Sequence, residues 1–187
     1  KEKYLLPQTA TLSKRPVIVG FGPAGMFASL YLAQCGVKPI VLERGLDVDS
    51  RTQKVKDFWE KGILDTECNV QFGEGGAGTF SDGKLNTGIK SPHINTVLET
   101  FHKFGADECI LYDARPHIGT DVLSKVIVNM RKYLQSLGVE FLFEHTFVDF
   151  QNVGGRIKIC VETSSETKEM ICDYLVLAIG HSSRDTI

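Results

Sequence analysis

The chain has 187 residues, 42% hydrophobic and 24% charged, with a net charge of −2 at pH 7. That is enough for one sizeable domain, or a domain and part of another, and nothing in the balance suggests nucleic acid or an acidic membrane as a partner. No apolar run reaches transmembrane length, no signal-peptide core opens the chain, and the cysteines at 35, 68, 109, 160 and 172 form no C-x-x-C pair. Metal and redox-pair readings therefore lack support, and a reduced, cytoplasmic compartment is the simplest expectation.

Residues 1–15 are polar with one short apolar patch and read as an extended lead-in, followed by one domain over 16–187. The chain lacks an initial Met and stops after Arg184-Asp185-Thr186-Ile187, so it is expected to be part of something longer. The stretch Pro16-Val17-Ile18-Val19-Gly20-Phe21-Gly22-Pro23-Ala24-Gly25 runs from an apolar strand into a glycine turn and out into a helix. The three glycines have different tasks in such a G-x-G-x-x-G turn. Gly20 turns the chain, Gly22 lets a pyrophosphate approach the backbone, and Gly25 lets helix and strand pack closely. Pro23 suits a first helical position, and the free N–H groups beyond it favour an anion.

The helix, residues 24–35, stops at Gly36; a second strand, 38–42, then ends in Glu43, 23 positions after Gly20. That spacing suits a carboxylate meeting a ribose hydroxyl. The alternative is a glycine-rich turn in an unrelated α/β protein; strand, turn, helix, strand and acid together favour dinucleotide binding. Arg44 and Arg51 follow, and each can reach a ribose or phosphate or simply stand in solvent. Ser50 is the expected N-cap of a short helix with Val55, Phe58 and Trp59 on one side and Gly62 as its stop.

Residues 72–88 hold six glycines in seventeen positions, which rules out an ordinary helix or strand. A ligand-lining loop is favoured over a flexible surface loop, with Thr79, Ser81 and backbone N–H groups able to bond a ligand's polar edge and Lys84 adding charge. Ser91-Pro92 starts a helix with apolar positions 94, 97, 98, 101 and 104, ending at Gly105. Arg115 and His117 lie in the next loop and are candidates to face a substrate. Thr120 or Asp121 is the expected cap of a longer helix, apolar at 122, 123, 126, 127, 130, 134 and 137 and stopped by Gly138. A strand follows at 139–143, and the strand–helix–strand order implies a parallel sheet. Residues 146–172 then alternate through three strands of an antiparallel meander. The unbroken apolar run Tyr174–Ile179, closed by Gly180, reads as a central parallel strand ending beside a ligand.

This order of parts resembles the FAD-binding domain of the glutathione-reductase-like flavoproteins, an α/β Rossmann-like parallel sheet in which a β-meander replaces one crossover helix. Leu177-Ala178-Ile179-Gly180 matches that superfamily's late strand motif, and Ser29, Leu32 and Gly36 fall at its further fingerprint positions, where Ser29 departs from the usual Ala or Gly. The segments Asn69–Leu85, Pro116–Asp121 and Ala178–Ser182 are similar to a bacterial family of uncharacterised FAD-dependent (NAD/FAD-utilising) dehydrogenases. The resemblance implies an FAD-dependent oxidoreductase, with NAD(P) open as electron donor and a small molecule or electron carrier as partner. It implies that Gly20, Gly22, Pro23, Ala24 and Gly25 surround the pyrophosphate, and that Glu43, with Arg44 beside it, holds the ribose. The backbone of Phe147 or Val148 would meet adenine; Gly76, Gly78, Thr79 and Ser81 would lie toward the flavin; Ala178 and Gly180 would close on the pyrophosphate. No cysteine occurs between Gly76 and Ser81, which disfavours thiol–disulfide chemistry. The superfamily's later Gly-Asp segment and its substrate domain have no counterpart here. Lys84, His117 and His181 are candidates for catalysis, none of them singled out. Two other readings remain: a nicotinamide dehydrogenase, which the meander disfavours, and a non-catalytic nucleotide-binding fragment.

Overall fold

A computed structural model describes residues 12–85, 87–184 and 186. Most of the expected lead-in, residues 1–11, lies outside the described residues. Four parallel strands form the central sheet in the order β3-β2-β1-β7: β1 (Val17–Val19), β2 (Ile40–Glu43), β3 (Glu140–Phe143) and β7 (Leu175–Leu177). Between them run α1 (Pro23–Gln34), α2 (Val48–Lys61), α3 (His93–Lys103) and α4 (Thr120–Ser136). The meander β4 (Thr146–Val153), β5 (Arg156–Glu162) and β6 (Thr167–Cys172) is a separate antiparallel sheet between β3 and β7. The architecture is α/β, Rossmann-like, with a β-meander.

Alternation along each short strand builds a core on both sides of the parallel sheet. Ile18 and Val41 face the helices, where they join Met26, Leu98, Phe101, Val126, Ile127 and Met130. Val17, Val19 and Leu42 face the meander, where they meet Phe147, Ile159, Val161 and Cys172. Every apolar position expected on α3 and α4 packs into the helical core. At the amino end of the sheet, Arg15 staples three strands: its guanidinium donates to the carbonyls of Lys38 (2.7 Å), Pro39 (3.0 Å) and Gly138 (3.1 Å) and pairs with Glu140 at 2.6 Å.

Four local expectations change. The N-cap of α2 is Asp47, not Ser50; its carboxylate accepts from the N–H groups of Asp49 and Ser50. Trp59, expected on the packed side of α2, is 64% exposed. The N-cap of α4 is Gly119, one residue before Thr120 and two before Asp121, the two expected caps. Strand β7 is an edge strand rather than a central one, and its last residue, Leu177, is exposed. The apolar run there supplies the faces toward helices and meander, but no further strand pairs with it among the described residues. Among these residues no helix is long and apolar enough to cross a membrane, and all five cysteines are free.

Candidate dinucleotide-binding cleft

The carboxyl ends of β1, β2 and β7 open into one cleft of about 540 Å³, the place where open α/β sheets take ligands. Its floor is the glycine turn. Gly20 has φ +95°, and a Cβ there would lie 2.4 Å from the Ala178 carbonyl oxygen, so β7 docks directly on the turn. Gly25 is buried beneath the cleft; a Cβ there would lie 1.9 Å from the Gly20 carbonyl oxygen. Gly22 is different. Its missing Cβ would reach nothing closer than Gly76 Cα at 3.5 Å, so its absence leaves free space on the cleft side.

Helix α1 starts from this turn with Gly22 as N-cap, no side-chain cap and no acidic residue in its first turn. The first N–H groups of a helix have no partner inside it, and here none is supplied by a capping side chain. The end of the macrodipole is equally uncompensated, which suits an anion. Pro23 and Ala24 line the cleft at this point. Ser29, the unusual residue of the fingerprint, is fully buried and bonds the Gly25 carbonyl at 2.7 Å, so its hydroxyl is satisfied within the helix.

Glu43 is buried and lines the cleft. Its Oε2 accepts from Phe21 N–H at 2.9 Å; its Oε1 accepts from Gly45 N–H at 3.0 Å and Gly73 N–H at 3.1 Å. A carboxylate has about four acceptor sites, so Oε2 keeps one for a further donor. Arg44 lies beside it in the cleft wall, with its Nε 3.0 Å from Glu67 and its guanidinium 4.5 Å over the Phe72 ring. Phe147 closes the same side. The β4–β5 register shifts between Phe147 and Asp149, leaving Val148 as the extra residue of a bulge that faces a neighbouring hollow. Ala178, Gly180 and His181 form the far wall.

The glycine loop is not a flexible surface loop. The N–H groups of Gly73, Glu74, Gly75 and Gly76 donate in turn to Glu43, to Leu46 (3.0 Å), to Phe21 (2.9 Å) and to Gly73 (3.0 Å). Loop carbonyls are held by Arg51, which is completely buried. Its Nη1 donates to the carbonyls of Glu74 (2.6 Å), Gly76 (2.9 Å) and Gly73 (3.2 Å), and its Nε donates to that of Asn69 (2.9 Å). Burial pulls the guanidinium pKa down to about 10, against the influence of Glu43, Cys68 and Glu74. Arg51 thus neither reaches the cleft nor stands in solvent, the two alternatives its sequence position offered. Glu74 is also buried; it accepts from Val48 N–H at 2.7 Å and pairs with Arg131 at 2.7 Å. Burial raises its carboxyl above 4.5, and the Val48 N–H and Arg131 offset only part of that rise.

These facts correct the expected roles of several residues. The N–H groups of residues 73–76 are spent inside the protein rather than turned to a ligand. Thr79 is buried, with its Oγ1 3.4 Å from Arg51 Nη1, and Ser81 bonds the Gly78 carbonyl at 2.8 Å; neither lines the cleft, whereas Gly76 and Gly78 do. Lys84 and His117 come together in an isolated antiparallel bridge, with Lys84 paired to Asp82 at 2.6 Å and His117 Nε2 2.7 Å from the Asp82 carbonyl oxygen. They lie outside the cleft lining, as does exposed Arg115, and only His181 of the three catalytic candidates borders the cleft. His145, Thr146 and Gln71 line it without having been singled out. For His145 and Thr146 the signal was available: Thr146 opens the first meander strand and His145 immediately precedes it, next to the Phe147 and Val148 expected to meet adenine.

No family model matches the chain. A protein of Clostridium beijerinckii (strain ATCC 51743 / NCIMB 8052), described as uncharacterised, is 50% identical over 178 residues, which is 95% of this chain and 33% of that protein. The chain thus spans about a third of the length of the curated relative it matches. Among solved structures, the Diels–Alderase PyrE3 of pyrroindomycin biosynthesis matches with a TM-score of 0.51 at 17% identity, over 90% of this chain and 32% of that one. Lactococcus lactis thioredoxin reductase (TM-score 0.48, 21% identity, 88% and 35% of the two chains) and Bacillus cereus bacillithiol disulfide reductase (0.49, 14%, 88% and 39%) are further matches. The PyrE3 likeness concerns the fold alone.

Proposed function

We propose that the cleft holds the adenylate and pyrophosphate of FAD, and that this chain is the cofactor-binding part of a longer flavin-dependent oxidoreductase of the dehydrogenase kind. The observation that carries this reading is the uncapped start of α1 at Gly22, opening into a cleft whose other walls are Glu43 and the Ala178–Gly180 segment. The donor set suits the group: a helix N-terminus for two phosphates, a carboxylate oxygen with a spare acceptor site for a ribose hydroxyl, and the Phe147 edge with Arg44 for a flat base.

When bound, FAD would supply two-electron redox chemistry. The residues of this chain bind and orient. The first N–H groups of α1 and the absent Cβ of Gly22 receive phosphate oxygens. Glu43 Oε2 accepts a ribose hydroxyl, and Arg44 adds charge at the rim. Gly76 and Gly78, which line the cleft without a side chain, would leave room for the planar isoalloxazine ring. NAD(P) is the candidate electron donor, and a small molecule or an electron carrier the candidate partner.

The test is the visible spectrum of the purified full-length protein. Flavin bands near ~370 and ~450 nm, released into solution on denaturation, are the expected result. A colourless protein whose melting temperature rises with NAD and not with FAD would overturn it.

A further inference from the structure

The buried Arg51 has no counterpart among the motif residues, and its partners are unusual. A cation with no exposed surface holds four main-chain carbonyls, and its Nη2 has no acceptor among the described residues. Burying a charge without an acid in direct contact is expensive unless its hydrogen bonds are made. The nearest carboxylates, Glu43 and Glu74, act on it at a distance while they bond the N–H groups of the same loop and of α2. The side chain also fills the space that Gly73 vacates, since a Cβ there would meet Arg51 Cδ at 2.5 Å, and the Phe80 ring lies 4.9 Å from the guanidinium. The result is a loop whose carbonyls converge on one planar cation and whose N–H groups point elsewhere in the protein. Its outer edge, Gly76, stands opposite Gly22, 3.5 Å from where a Cβ of Gly22 would be.

From this we infer that Arg51 is a positioning residue for the dinucleotide: it sets the Gly73–Gly76 wall at a fixed distance from the start of α1 before any ligand arrives. The inference rests on the FAD reading of the cleft. The planar fork matters as well as the charge. One guanidinium reaches carbonyls at residues 69, 73, 74 and 76 together, whereas an ammonium is a point donor on a flexible stem. Without the fork the carbonyls repel one another, the wall moves, and a displacement of about 1 Å is enough to lower affinity by one to two orders of magnitude.

The experiment uses the full-length protein freed of flavin, in wild-type, Arg51→Lys and Arg51→Met forms. FAD affinity is read from the quenching of flavin fluorescence, loop order from hydrogen exchange, and folding from the Tm of the apoprotein. Wild-type apoprotein should protect the amides of residues 73–76, with FAD adding little. Both variants should bind FAD about ten- to a hundredfold more weakly, and lysine should not restore the loss. A purely structural role lowers Tm but leaves the affinity of the folded fraction and the induced circular dichroism of the flavin unchanged; that outcome, or full rescue by lysine, overturns the inference. Fast exchange of the four amides in wild-type apoprotein overturns it even if neither variant folds. Wild type that binds FAD beside an Arg51→Lys form that binds equally tightly removes this inference alone. Wild type that binds no FAD removes the reading of the cleft, and this inference with it.

Discussion

At the scale of single residues, two glycines of one motif are predicted to fail in opposite ways. Gly25→Ala puts a Cβ 1.9 Å from the Gly20 carbonyl oxygen. Backbone cannot yield as a side chain does, so the helix must lift off the strand, at a cost of about 1–3 kcal/mol or more. Gly22→Ala meets nothing nearer than 3.5 Å, and Gly22 has φ −78°, which alanine adopts freely. That variant should lose no more than about 1 kcal/mol in urea, the cost of alanine at the N-cap of α1, yet bind FAD far more weakly, because its methyl occupies the phosphate cradle. Urea titration with flavin fluorescence separates the two; equal behaviour would mean that Gly22 does not face the ligand. Glu43→Gln tests the third motif residue. Glutamine keeps one carbonyl oxygen, but its NH2 group cannot accept, so the N–H donors on one side of the former carboxylate lose their partner, and about 1–3 kcal/mol of stability should be lost in the same titration.

The elements show what patterning makes legible. The stripes of α3 and α4 were readable because an apolar face with a 3.6-residue period has one place to go, and all their marked positions entered the core. The glycine turn, Glu43 and the meander were readable for a related reason: each needs particular residue types at fixed spacing. Caps were less legible, because Asp47 and Ser50 are both good caps three residues apart. The carboxylate wins by accepting from the N–H groups of both Asp49 and Ser50, while the Ser50 hydroxyl donates to it at 2.8 Å. Asp47→Ala should therefore cost about 1 kcal/mol, measured by thermal unfolding, and Ser50→Ala clearly less. Burial pushes the Asp47 carboxyl up, but its hydrogen bonds from Ser50 and Asp49 outweigh this and hold it below 3.8. Its contribution is thus present above that value and lost as pH falls through the lowered one. Arg51 was illegible because an arginine in a polar helix turn looks like a surface residue; only the fold shows four carbonyls gathered around it. The edge position of β7 was hidden for the opposite reason, since an apolar run signals two covered faces and says nothing about how many neighbours pair in the sheet.

Across the whole molecule, the pair of buried Glu74 and half-buried Arg131 joins parts that the sheet alone leaves separate. Glu74 sits in the glycine loop, bonds the first N–H of α2 and reaches α4 through Arg131. The glycine loop is thereby tied to the helix that precedes β3, and the cleft wall to the helical core. Its pH behaviour follows from the raised Glu74 carboxyl. A group that holds its proton more tightly in the folded state gives its full stabilising share below its ordinary value of 4.5, and that share declines as pH rises through the folded value. Arg131 limits the decline by favouring the carboxylate. Replacing Arg131 with Met removes that support, leaves a buried uncompensated charge, and pushes the Glu74 carboxyl higher still. The variant should come closest to wild type in urea well below pH 4.5, where Glu74 is protonated in both forms, and be weaker by about 3–5 kcal/mol at neutral pH. A deficit that does not change with pH would mean that the arginine acts through its packing over the Phe143 ring, 5.8 Å away, and not through the charge of Glu74.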